Sequence, residues 1–152
     1  ETKFECLIPD FAGKWDNLQR IIDAQPDIVS HNIETVRRLT PQVRIQAKYE
    51  RSLEVIERLH KAGVKTKSGI MVGLGETNDE IYDTITDLRQ RGCDVLTIGQ
   101  YLQPTNKHLK VQRFVHPDEF NVFKTFALKQ GFRFVESGPL VRSSYHAEKH
   151  IF

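Results

Sequence analysis

Thr66-Lys-Ser-Gly-Ile-Met-Val-Gly-Leu-Gly-Glu-Thr77 reads as a strand that passes through glycines into the start of a helix. Lys65 to Val72 supplies the strand and Gly73-Leu-Gly75 the turn. Thr77, with Glu80 three residues on, forms a capping box for the helix that follows. That helix is predicted to run to Arg91, with Ile81, Ile85 and Leu88 inward and Gly92 as its stop. The same rhythm extends in both directions. Upstream, Lys3 to Ile8 reads as a strand ending at Pro9-Asp10. Trp15 to Ala24 is a helix with Leu18, Ile21 and Ile22 on one face, and Asp27 to Ser30 is a short buried strand. Ile33 to Leu39 reads as a helical turn ended by Pro41, and Tyr49 to Ala62 as a helix carrying Leu53, Ile56 and Leu59 inward. Downstream come a strand at Asp94 to Gly99, a long polar loop from Gln103 to Val115, a helix opened by Pro117 and ended by Gly131, and a last strand from Phe132 to Glu136. The stripe of Phe120, Phe123, Phe126 and Ala127 on that last helix reads as core packing.

Alternating strands and helices predict a parallel sheet with right-handed crossovers. A closed eight-unit barrel needs about 250 residues. With 152 residues and about five strands, the chain is predicted to be an open sheet or partial parallel (β/α) barrel. Its bulk properties exclude several classes of function. A net charge of +2 is too weak for a nucleic-acid partner, and no apolar run approaches the roughly 18 residues that span a bilayer. The two cysteines, Cys6 and Cys93, stand far apart in strand-like settings and read as small buried hydrophobes in a reducing compartment, with a bacterial cytoplasm as the default.

In parallel sheets and barrels, chemistry collects at the C-terminal ends of the strands. Those ends are Pro9-Asp10, Ser30-His31-Asn32, Gly73 to Glu76, Gly99-Gln100-Tyr101 and Ser137-Gly138. At Gly69 to Glu76, glycines permit close approach of a ligand and the helix start favours an anion, although a plain tight turn with Glu76 and Glu80 on the helix dipole explains the pattern equally well. Ser30-His-Asn-Ile-Glu-Thr35 gathers an imidazole, a carboxamide and a carboxylate. A lone histidine is usually structural, but the strand-end position makes His31 and Asn32 candidates to line a site, with Asn32 suited to ribose hydroxyls. His60 and His150 read as solvated by comparison. Gly99 to Thr105 could hold a flat ring or could be a self-packed loop. Near the C-terminus, Ser137-Gly-Pro-Leu-Val-Arg-Ser-Ser-Tyr-His-Ala147 concentrates side-chain donors and is predicted to fold back over something.

Together these runs resemble the lipoyl synthases, radical S-adenosylmethionine enzymes. The resemblance rests on Leu7-Ile-Pro-Asp10, Ser30-His-Asn-Ile-Glu-Thr-Val36, Thr66 to Thr77, Leu96-Thr-Ile-Gly-Gln-Tyr-Leu-Gln-Pro-Thr105 and Gly138-Pro-Leu-Val-Arg-Ser-Ser-Tyr-His-Ala147, in family order over nearly the whole chain. It implies roughly strands 3–6 of a (β/α)6 barrel across residues 1–131, with residues 132–152 forming a C-terminal strand and a cluster-covering segment. It implies S-adenosylmethionine as cofactor, bound by Asn32, Glu34, Gly69, Gly73, Gly75, Glu76, Gln100 and Tyr101, with His31 and Arg142 as candidates for a catalytic part. It also implies two [4Fe–4S] clusters, with Ser143, or less favourably Ser144, as an oxygen ligand to the auxiliary one. The family inserts two sulfurs at C6 and C8 of an octanoyl chain carried on a lysine of a lipoyl carrier protein, such as a lipoyl domain or the glycine cleavage H protein.

The chain departs from the family pattern in lacking both cysteine triplets, Cys-x4-Cys-x5-Cys and Cys-x3-Cys-x2-Cys, and the first two barrel strands. It opens at Glu1 directly into a strand-like run, so the expectation is a C-terminal half that is inactive by itself. The residue pattern alone leaves two other readings open: a non-catalytic half-barrel that grips a lipoyl carrier protein, or an unrelated barrel fragment that binds a phosphorylated metabolite at Gly73 to Glu76.

Overall fold

The computed structural model describes residues 2–152. Five strands form one sheet in sequential order, all neighbours parallel: β1 Glu5–Leu7, β2 Ile28–Ser30, β3 Thr66–Val72, β4 Val95–Gln100 and β5 Phe134–Gly138. Helices α1 (Trp15–Asp23), α2 (Thr40–Val43), α3 (Tyr49–Lys61), α4 (Asn78–Gln90) and α5 (Pro117–Gln130) fill the crossovers. β1 and β5 are the two edges, so the partial parallel barrel expected from the sequence is what forms, and it stays open.

Strand parity separates two faces. Leu96 and Ile98 of β4 and Ile70 and Val72 of β3 pack outward with Leu53, Ile56, Ile81, Ile85, Leu88, Phe120 and Phe123 into the main core. A smaller cluster of Ile8, Leu18, Val29, Val55 and Leu59 seals α1 and α3 against the first two strands. Both phenylalanines are essentially buried, as the helical stripe implied. The capping box at Thr77 and Glu80 is present: Glu80 N–H donates to Thr77 Oγ1 at 3.2 Å and Thr77 N–H to Glu80 Oε2 at 2.8 Å.

Two local expectations shift. The helical turn placed at Ile33–Leu39 lies further on: a 3-10 turn at Arg37–Leu39 runs straight into α2, with Pro41 inside the first turn. A first-turn proline has no intrahelical donor to lose, so it opens this helix rather than ending the turn. Ahead of it, Glu34 makes an isolated parallel bridge to Ile70 and adds backbone to the edge of β3. The last strand starts two residues later than expected, because Phe132 and Arg133 complete the turn and Arg133 N–H donates to Asp94 O at 2.9 Å.

The inner face is partly covered by the chain's own end. After Gly138, residues 139–152 descend the concave side of the sheet. The Val141 carbonyl lies against Gly99, Ser144 and Ala147 lie beside Glu5, Leu7 and Ser30, and Phe152 stacks on Phe134 with ring centroids 5.4 Å apart. His150, expected to be solvated, is buried. It lies by Phe134 in the electrostatic field of Lys67, Glu5 and Glu136, and burial holds its pKa below the ordinary value. Lys67, which is fully buried, pairs with Glu5 at 3.0 Å.

β1 presents an unpaired edge with Phe4 66% and Leu7 65% exposed. Such an edge is a template for strand pairing with another chain. The 152-residue chain expressed by itself should therefore self-associate, and Leu7→Lys should shift it toward monomer in sedimentation velocity. A native chain that sediments as a single monomeric species would contradict this.

Candidate active site

The inward parity of β3 and β4 places Gly69 and Met71 beside Thr97 and Gly99. Where their missing side chains leave room, a cavity of about 260 Å³ opens at the C-terminal ends of the strands. Asn32 and Glu34 form one wall, Gln100 and Leu102 the rim, and Val141, Arg142 and Ser143 the cover. A Cβ at Gly69 would come 2.8 Å from Thr97 Oγ1 and 3.0 Å from Asn32 Oδ1, inside any normal contact. A Cβ at Gly99 would run into the Val141 carbonyl. These two glycines thus serve by volume: one leaves room for the Thr97 and Asn32 side chains that line the cavity, the other lets the C-terminal segment close over it.

The wall of this space holds a buried polar atom without a partner. Asn32 Oδ1 is buried and accepts no hydrogen bond among the described residues, and the Ser30 hydroxyl is in the same condition. A buried polar atom left unpaired costs about 1–3 kcal/mol, so an acceptor held this way suits a ligand that brings donors. Glu34 has a left-handed backbone, φ 69°, uncommon outside glycine. Its amide donates to Gly69 O at 2.9 Å and its carbonyl accepts from Met71 N–H at 2.8 Å, so the sheet itself holds the conformation. Burial raises the Glu34 carboxyl above its usual range, opposed by the Arg44 guanidinium and the Asn32 side chain.

The expected residues divide. Asn32, Glu34, Gly69, Gln100, Arg142 and Ser143 line the cavity; His31, Gly73, Gly75, Glu76 and Tyr101 do not. His31 lies behind it, with Nδ1 2.9 Å from Ile8 O and Nε2 2.9 Å from Ser52 Oγ. A carbonyl can only accept, so Nδ1 carries the proton, and Ser52 donates to Nε2 while accepting from Arg44 at 2.8 Å. Both nitrogens are committed to holding β1, β2 and α3 together. Glu76 is turned back on its own loop and accepts from Gly73 N–H at 2.6 Å and Leu74 N–H at 2.9 Å. Those amides are the ones an external phosphate would need, so the phosphate reading of Gly73 to Glu76 fails. Tyr101 is buried and donates to Leu109 O at 2.7 Å, away from the cavity. Gln100 lines the rim, but its Nε2 donates to Arg113 O and its Oε1 accepts from Val115 N–H, so its amide is spent on a loop.

Five lining residues, Ile70, Met71, Thr97, Leu102 and Val141, were not singled out in the sequence. Met71 and Thr97 share strand parity with Gly69 and Gly99, and that signal could have found them. Ser143 also borders a second cavity of about 270 Å³ with Glu5, Leu7, Ser30, Ser144 and Ala147, toward the open edge of the sheet. Neither cysteine reaches either space. Cys93 is fully buried, with its thiol pushed up to about 12 mainly by burial, and Cys6 packs toward α1. Among the described residues, no three His, Cys, Asp or Glu side chains converge as a metal site.

An open parallel α/β sheet with a polar cavity at the strand C-termini is the framework of a (β/α)-barrel enzyme. Residues 1–88 match the family described as the Radical SAM superfamily, and the chain belongs to it. Lipoyl synthases of Flavobacterium psychrophilum and Flavobacterium johnsoniae are each 60% identical over 99% of this chain and 52% of their own length. The mitochondrial lipoyl synthase of Nematostella vectensis is 58% identical over 99% of this chain and 52% of its own. These relatives bear out the resemblance read from the motifs, and the chain spans about half the length of the curated relatives it matches. An HMG-CoA lyase from Brucella melitensis shares the fold at a TM-score of 0.50 and 12% identity, covering 90% of this chain and 56% of that one. No helix of the described residues is long and apolar enough to cross a membrane.

Burial holds the His31 pKa below its ordinary 6.5. The unfolded chain therefore binds a proton that the folded chain refuses, and stability is fully present above 6.5 and falls as pH drops below it. His31→Gln should flatten the urea midpoint between pH 6.5 and about 5, relative to the native chain. His150 acts with the same sign and remains in both proteins, so an unchanged slope would show that His31 is not the group responsible.

Proposed function

We propose that the chain is the part of a lipoyl synthase that holds the adenosyl end of S-adenosylmethionine and closes the site with Ser143. The observation that carries this is the cavity beside Gly69, with the buried, unpartnered Asn32 oxygen in its wall. Ribose hydroxyls supply the donors that this oxygen lacks. The glycine floor admits a flat ring against the backbone, with Met71 and Leu102 as apolar contacts. The Glu34 carboxylate sits beside Asn32 as a further acceptor. These acceptors and apolar contacts thus fit S-adenosylmethionine. In the complete enzyme, reductive cleavage of this cofactor supplies the radical that removes hydrogen from C6 and C8 of a protein-bound octanoyl chain.

The residues present do not fit an iron–sulfur cluster by themselves: Ser143 is a lone oxygen donor, and both thiols face elsewhere. Both [4Fe–4S] clusters would need thiolates supplied by other residues of the complete enzyme. Ser143 borders both cavities, whereas Ser144 borders only the second, which favours Ser143 as the single ligand. Arg142 donates to the carbonyl of its neighbour Val141 at 2.7 Å, a bond within the cover itself. The partner in this reading is an octanoylated lipoyl carrier protein, in a reducing cytoplasmic setting that keeps Cys6 and Cys93 as free thiols.

The binding part is testable on the chain as it stands. Titration calorimetry with S-adenosylmethionine should show binding that Gly69→Val weakens by at least about tenfold, with the thermal midpoint still cooperative. Equal binding by both proteins would refute the site. In a full-length chain carrying this segment, Ser143→Cys should lower product formation while leaving S-adenosylmethionine binding unchanged. Full turnover would remove the case for an oxygen ligand.

A further inference from the structure

Between β4 and α5 the chain runs from Tyr101 to His116 with no regular secondary structure, longer than ordinary connections in compact domains. Such loops are usually either disordered or functional, and this one is tightly pinned. Tyr101 holds Leu109 O, Gln103 Nε2 donates to His108 O at 2.9 Å, and Gln112 N–H donates to Gly73 O at 2.8 Å. The Gln100 side chain clasps the far end at Arg113 and Val115. The loop therefore spends hydrogen bonds on a fixed shape while leaving large apolar side chains in water: Leu102 is 49%, Leu109 41% and Phe114 73% exposed.

Its charge is one-sided. From Gln100 to His116 there is no aspartate or glutamate. Arg113 is neutralised by a bidentate pair with Glu119, at 2.9 and 3.0 Å. Lys107 and Lys110 are exposed and have no ion-pair partner among the described residues. Just beyond the loop in sequence, Asp118 stays largely in solvent beside His116. Leu102 belongs at once to this loop and to the rim of the cavity.

We propose that the Leu102–Phe114 loop is the docking platform for an acidic protein surface that delivers an acyl chain to the cavity mouth. Lys107 and Lys110 steer and orient that surface, the exposed apolar side chains supply the contact area, and the fixed shape lowers the ordering cost of association. This rests on the reading of the cavity as the place where a protein-borne chain is processed.

The test uses a full-length chain carrying this segment, with Lys107→Glu and Lys110→Glu combined. Two substrates are compared: an octanoylated lipoyl domain of net negative charge and a short octanoyl-lysyl peptide. For the domain, kcat/KM should fall about tenfold and lose most of its salt dependence, with the peptide rate and the thermal midpoint unchanged. Equal loss for both substrates, or none for either, overturns the platform. If the native protein processes neither substrate, the reading of the cavity fails. The platform is then judged by binding alone: surface plasmon resonance with the octanoylated domain should show capture by the native loop and loss in the variant, and equal capture overturns it.

Discussion

The missing side chains at Gly69 and Gly99 are the constraint on which this site depends. Both residues face inward on adjacent central strands, in register with Thr97 and Met71. Parallel strands so close-packed would ordinarily fill the concave face with branched side chains. Here the space over Gly69 is taken by the side chains of Thr97 and Asn32, beside which the cavity opens, and the surface of Gly99 is taken by the backbone of the C-terminal segment. Cavity and cover are two consequences of one pattern. The rest of the chain supplies rigid support: a helix-covered outer face, the His31–Ser52–Arg44 hydrogen-bond chain behind the wall, and the Glu76 carboxylate that closes the turn after β3.

Polar groups in this fold are either spent on structure or held free, and the difference marks function. His31, Glu76, Tyr101 and Gln100 look chemical in sequence but are bonded to the backbone or to neighbouring side chains. Asn32, Ser30 and Ser143 are less conspicuous residue types, and they border the cavities. The two buried among them, Asn32 and Ser30, have side-chain oxygens with no partner. Thr35 Oγ1 and both ring nitrogens of His150 are buried without partners as well, so it is the position of the Asn32 oxygen at the cavity wall, and not the lack of a partner alone, that bears on a ligand.

Much of this was legible in the sequence. Capping residues, helix stops and the alternation of strand and helix determine the order of elements, because each is a local signal. The strand-end rule pointed to Asn32 and Gln100, the family resemblance added Glu34 and Gly69, and the density of donors around Arg142 and Ser143 pointed to a cover. What stayed hidden was non-local. That Glu76 would turn back to its own loop depends on loop geometry, which side-chain type does not encode. The descent of residues 139–152 along the inner face, which buries His150, depends on an open sheet that no local window reveals. Pro41 was misleading because a proline signals a helix start and a helix end with the same letter.

The central claim is that the glycine-floored cavity receives the adenosyl group. Its most direct test is to map amide shifts of the isotopically labelled chain as S-adenosylmethionine is added. The account predicts that shifts concentrate at Asn32, Gly69, Thr97 and Gly99 and spare the Gly73–Glu76 loop. Shifts centred on that loop, or none at any concentration reached, would contradict it.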